Sequence, residues 1–124
     1  MIKEAVGTVG FCLGGRVSYV ANTFLPLKAA ISFYGGGINN LLSRASNMHA
    51  PHLFFWGGKD KHIKREHITA LDETLSAAGK EFINVLFSDA DHGFFCDKRA
   101  AYHPKAAGEA WELMRAFLKN NLGS

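Results

Sequence analysis

An abrupt change of pattern at residue 12 dictates most of what this chain can become. Residues 5–11 form an apolar, β-favouring run that stops at Cys12. Gly10 stands two residues before the cysteine, Gly14 and Gly15 stand two and three after it, and the apolar spacing beyond them is helical. The segment VGTVGFCLGGR therefore reads as strand, sharp turn, helix. In such a turn the central residue holds a strained backbone, and its neighbours two positions away must lack bulk so that strand and helix can approach. Gly10 and Gly14 meet that demand. The turn lifts the Cys12 side chain onto the rim of a sheet and aims the N–H groups of a helix start at it, a field that favours a thiolate and any oxyanion formed nearby. The competing reading is an ordinary turn around an inert cysteine. A dinucleotide-binding loop fits poorly, because the glycines at 7, 10, 14 and 15 lack G-x-G-x-x-G spacing, and about twenty residues on, where a ribose-binding acid would stand, the chain reads Ser32-Phe33-Tyr34.

The rest of the chain alternates in the same way. Residues 17–24 are helical in pattern and closed by Pro26, and residues 29–34 (AAISFY) have the continuous apolar character of a strand covered on both faces. Gly35-Gly36-Gly37 opens a polar connection to about Ala50, and Pro51 introduces a third strand, residues 52–56. Ile68, Leu71, Leu75 and Ala78 mark an amphipathic helix over residues 64–79, and a fourth strand spans residues 81–87. The last helix, residues 104–120, places Ala107, Ala110, Trp111, Met114, Phe117 and Leu118 on one stripe. This order predicts an α/β fold of three layers: a mostly parallel sheet of about four strands, flanked by helices, in a single domain over residues 1–124. Chemistry in such sheets gathers at the strand C-termini.

Composition narrows the function classes. The 124 residues are 48% hydrophobic and 20% charged, enough for one core, and the net charge of +3 is dispersed. The longest basic cluster, residues 59–65, is broken by Asp60 and Ile63, so no nucleic-acid partner is expected. No run is long enough to span a membrane and the first residues lack signal-peptide anatomy, so a cytoplasmic location is expected. Two cysteines, Cys12 and Cys96, do not make a disulfide framework in a chain of this size. They leave thiol redox chemistry as a minor alternative, without a C-x-x-C to support it. His92 and Cys96 are four apart, and His49 and His52 flank Pro51, but no further ligand completes a set, so neither a metal nor another cofactor is expected.

Three reactive residues occupy three strand ends in the order Cys12, Asp60, His92. A thiol nucleophile needs a base for its proton, and the base needs a partner that sets its tautomer. Nucleophile, acid, histidine is also the chain order of α/β-hydrolases. Asp60 follows the third strand in GGKD and His92 follows the fourth in ADADHGFF. Each has a simpler reading, Asp60 as a turn cap and His92 as an exposed turn residue. Asp89 and Asp91 compete as the acid but lie too near His92 in sequence to support it from across a site. The other five histidines read as surface or loop residues.

These motifs resemble the dienelactone hydrolase family of the α/β-hydrolase fold. GFCLGG is similar to its cysteine elbow, FFWGGKD to its acid strand, DADHGFF to its histidine turn, and AAYHPKAAGEAWELMRAFLKNNL to its closing helix. The resemblance implies an ester or lactone hydrolase in which Cys12 is the nucleophile, His92 the base, Asp60 the orienting acid and the backbone N–H of Leu13 one oxyanion donor. It further implies that Tyr34, in the FYG turn, and Phe94 lie at the substrate pocket. The chain corresponds to the C-terminal half of the family pattern. Missing are the earlier strands, the loop that gives the second oxyanion donor, and a glutamate that helps activate the cysteine. Where the family carries a substrate-binding arginine four residues past the histidine, this chain has Cys96, and Arg16 or Arg99 would have to replace it. With the elbow strand at an edge, two chains are expected to associate there as a homodimer. The alternative is a non-catalytic structural or interaction module.

Overall fold

The computed structural model describes residues 6–95 and 102–123. The sequence-predicted strands form as β1 (Gly7–Phe11), β2 (Ala29–Phe33), β3 (His52–Gly57) and β4 (Phe82–Phe87). They lie in the order β1-β2-β3-β4, every neighbouring pair parallel, with Gly10 opposite Ser32 and Phe33 opposite Phe55. The central strands β2 and β3 are buried along their whole lengths, as an uninterrupted apolar run requires. The two edge strands are partly exposed.

Between the strands run α1 (Leu13–Phe24), a kinked 3-10 segment (Ile38–Asn47) and α2 (Arg65–Ala77), and α3 (Pro104–Leu122) closes the chain. The alternation of side chains along each strand separates the layers. Thr8 hydrogen-bonds Ser18 of α1, and Tyr19 of α1 packs on Phe54. Leu53, Ile83 and Val85, of the opposite parity, meet Leu113 and Phe117 of α3. The α/β expectation therefore stands, as a four-stranded parallel sheet flanked by helices. Phe11 stacks on Phe33 and Phe33 on Phe55, each pair 4.5 Å apart, so a row of rings crosses three strands on the α3 side.

Three expectations are corrected. Helix α1 begins at Leu13 and not at residue 17, because the turn at Cys12 is itself the helix start. A side chain on Gly10 would strike the Gly14 carbonyl oxygen, so the bare strand is what lets the first helical turn close onto it. The stretch after Gly37, expected as a polar connection, is largely 3-10 helix with Ile38 and Ala45 buried. Its apolar residues Ile38, Leu41, Leu42 and Ala45 do carry helical spacing. Trp111 leaves the buried stripe of α3 and is 49% exposed, while Ala106, Ala107, Ala110, Met114 and Phe117 face the core. The helix packs chiefly on β2 and β3, and Trp111 lies on its outward side.

Candidate active site

The turns after β3 and β4 are joined by main chain before any side chain is considered. Gly58 N–H donates to the Phe87 carbonyl at 2.8 Å and Lys59 N–H to the Ala90 carbonyl at 2.9 Å. A Cβ on Gly57 would stand 2.6 Å from the Ala90 oxygen, so the two turns meet only because that residue is glycine. Out of this brace Asp60 and His92 face each other, with His92 Nδ1 2.7 Å from Asp60 Oδ2. The other carboxylate oxygen accepts the N–H groups of His62 at 2.7 Å and Ile63 at 3.1 Å. Three donors on one carboxylate lock its rotamer. Its side chain is 1% exposed against 19% for His92, so the acid is buried behind the imidazole. With Nδ1–H donated to Asp60, the ring's remaining nitrogen, Nε2, is its acceptor.

Cys12 sits at the opposite wall. Its φ of 55° and ψ of −119° lie where L-residues rarely stand, and it is held there by its own main chain. Its N–H donates to the Phe33 carbonyl at 3.0 Å and its carbonyl accepts the Gly15 N–H at 2.9 Å. An open depression of about 470 Å³ is lined by Cys12, Leu13, Arg16, Gly36, His62 and His92. The sulfur and the imidazole thus border one space. Leu13 borders it as the first residue of α1, where amides have no acceptor within the helix.

The remaining sequence-predicted residues fall elsewhere. Tyr34 (φ 39°) and Phe94 are buried, their rings 5.4 Å apart. Neither lines the depression, but the Tyr34 ring is 5.0 Å from His92 and supports it from beneath. Asp89 pairs with His103 at 3.1 Å, and that bond holds its carboxyl below the usual carboxylate range. Asp91 accepts the His92 N–H at 2.7 Å. Cys96 and Arg99 lie outside the described residues. No group of three or more metal-ligating side chains occurs among the described residues, and none of the described helices is long and apolar enough to cross a membrane.

Of the five histidines expected at the surface or in loops, His62 is exposed in its turn as expected but borders the site, and His52 is buried against expectation. His62 borders the depression with its ring 5.4 Å from that of His92. Its place two residues after Asp60, in the turn that the carboxylate caps, was the available signal. His52 is fully buried within β3, and burial pushes its pKa down to about 3. A histidine at the head of an apolar strand, where a parallel sheet buries both faces, was the signal there.

Comparison with known proteins finds relatives of the same fold. The family model described as "Dienelactone hydrolase family" matches residues 1–122. A Synechocystis protein with the provisional name carboxymethylenebutenolidase is 30% identical over 127 aligned positions, which cover 96% of this chain and 52% of the relative. An Escherichia coli K12 protein with the same provisional name is 34% identical over 119 positions, 89% of this chain and 44% of the relative. A solved Klebsiella pneumoniae structure, provisionally named a dienelactone hydrolase, superposes with a TM-score of 0.85 at 32% identity, over 90% of this chain and 50% of the other. The chain spans about half the length of the curated relatives it matches.

Proposed function

The chain belongs to the dienelactone hydrolase family, and on that premise we propose that it hydrolyses small-molecule esters or lactones with a Cys12, His92, Asp60 triad. His92 Nε2 takes the Cys12 proton and the thiolate attacks the carbonyl carbon. The Leu13 N–H, at the positive end of α1, receives the oxyanion, and the imidazolium returns its proton to the leaving oxygen. Water, deprotonated by the same imidazole, then attacks the thioester, releasing the acid and restoring the thiol. Asp60 keeps Nδ1 protonated throughout, so Nε2 always faces the sulfur side. Arg16 is the cation bordering the depression and suits a carboxylate on the substrate. Tyr34 and Phe94 act by holding the His92 turn in place. The observation that carries this reading is the 2.7 Å His92–Asp60 pair opening onto the depression that Cys12 borders. No cofactor enters the scheme, and the expected setting is the reducing cytoplasm, where a thiol nucleophile persists.

A second reading, an interaction module, is favoured by the exposed apolar side chains Val9, Phe11, Leu13, Val17 and Phe24 along β1 and α1. In the present proposal the same surface joins two copies of the single domain through the elbow-strand edge. A burst assay with a p-nitrophenyl ester separates the readings. Cys12→Ala is expected to lower turnover by at least about 1,000-fold, as loss of a nucleophile does. Equal rates for wild type and variant would leave only the interaction module.

A further inference from the structure

Among the described residues, His52 is a fully buried imidazole for which the chemistry above has no use. Its surroundings give it a direction. The Asn22 side-chain amide nitrogen lies 3.0 Å from the Ala50 carbonyl oxygen and 3.1 Å from His52 Nδ1. Asn22 Oδ1 accepts the Ala50 N–H at 2.9 Å, which settles the orientation of the amide. An amide nitrogen only donates, so His52 Nδ1 is an acceptor and Nε2 carries the hydrogen. That Nε2–H is 2.8 Å from Ser32 Oγ, and the Ser32 hydroxyl in turn donates to the Gly15 carbonyl at 2.7 Å. Asn22 and Ser32 are buried as well. The hydrogen bonds therefore run one way only, from Asn22 in the last turns of α1 through His52 of β3 and Ser32 of β2 back into the first turn of α1, and end three residues beyond Cys12.

Helical hydrogen bonding does not require this tether, since a first-turn carbonyl is already an acceptor within the helix. Burying an imidazole, an amide and a hydroxyl is no more stable than an apolar core of the same shape. What such a chain adds is a fixed distance and direction between the sheet and one carbonyl. We infer that the Asn22–His52–Ser32 chain is a positioning device for the elbow: by holding the Gly15 carbonyl it keeps the Leu13 and Gly14 amides aimed at the space before Cys12. The inference rests on the hydrolase reading above for its use in catalysis, but the geometry of the elbow has its own readout.

That readout is the rate at which iodoacetamide alkylates Cys12 in the full chain, followed by peptide mass mapping so that Cys96 is scored separately. Two variants are compared with wild type at a temperature where circular dichroism shows all three folded. Ser32→Ala cuts the tether but leaves the His52 Nε2–H buried without an acceptor. Ser32→Ala combined with His52→Leu cuts it and removes the Nε2–H as well; Asn22 keeps one amide hydrogen on the Ala50 carbonyl, and its other, far from the elbow turn, is the donor left unpaired. A thiolate held by helix-start amides loses that field when the turn relaxes, so alkylation is expected to slow at least about fivefold in both variants. Rates within twofold of wild type in both, or slowing in the single variant alone, would overturn the inference. In ester hydrolysis kcat is expected to fall about tenfold with KM within about twofold, the signature of lost oxyanion alignment and not of lost binding. A wild type with no ester hydrolysis would sink the hydrolase reading, while the alkylation rates would still decide the tether.

Discussion

On the β3–β4 side of the depression the acid and the base stand on turns that share main-chain hydrogen bonds, and every oxygen of Asp60 has a donor. On the β1 side Cys12 follows a strand that, among the described residues, pairs on one flank, with β2, and Val9 and Phe11 are exposed on it. The proposed catalytic set is thus half self-supporting and half dependent on what lies beyond the sheet edge. Geometry that rests on local main chain survives in isolation; geometry at an edge needs a tether from inside or cover from outside. The Ser32 chain is the inner tether, and association of two copies is the proposed cover.

Breaking the self-supporting side produces the largest expected change. Asp60→Asn puts an amide where the carboxylate accepted three donors, so His92 loses its tautomer control, and kcat is expected to drop about 100- to 10,000-fold. Steady-state hydrolysis of the nitrophenyl ester measures it, and a loss under tenfold would mean that the pair at 2.7 Å does not orient the base.

Acid is expected to loosen the elbow side first. His52 has a folded pKa of about 3 against about 6.5 in an unfolded chain, so between those values the unfolded state binds more protons. Its contribution to stability is complete above about pH 6.5 and drains away as pH falls toward 3, on the order of several kcal/mol in all. Urea unfolding at pH 7 and pH 4 should show a loss that His52→Leu does not share. Amide exchange at pH 4 should show α1 losing protection before β4, and the reverse order would contradict the comparison.

The smallest effect concerns the edge itself. Val9→Lys places a charge on the exposed face of β1 and should change stability by less than about 0.5 kcal/mol. Sedimentation should nonetheless show association weakened to monomer, and a wild type that is already monomeric at all concentrations would remove the dimer proposal.

Much of this plan is legible in the residues. The switch from β to helical spacing at Cys12, and the Gly-Gly and Asp-His turns after later strands, place the reactive groups at strand ends, because local backbone chemistry decides them. Less legible is what packing alone decides. His52 reads as a surface or loop histidine at the head of a strand until β3 is seen to be a central strand buried on both faces. Tyr34 and Phe94 are implied as pocket residues by the resemblance, and the structure buries both, the Tyr34 ring against His92 and the Phe94 ring against Tyr34. Trp111 reads as core until α3 is seen to turn that side of the helix outward. The 3-10 segment was written in Ile38, Leu41, Leu42 and Ala45, but asparagines and serines obscured it.

By itself, the amino-acid sequence determined the order of strands and helices, the strained turn at Cys12 and the strand ends that carry Asp60 and His92. Those features depend on residues within a few positions of one another, where sterics and hydrogen bonding act without distant partners. Only the tertiary structure decided which histidine is buried, which ring lies against His92, and how Asn22, His52 and Ser32 join. Each of those depends on which side chains, distant in the chain, a parallel sheet brings within a few ångströms, and no local pattern encodes that distance.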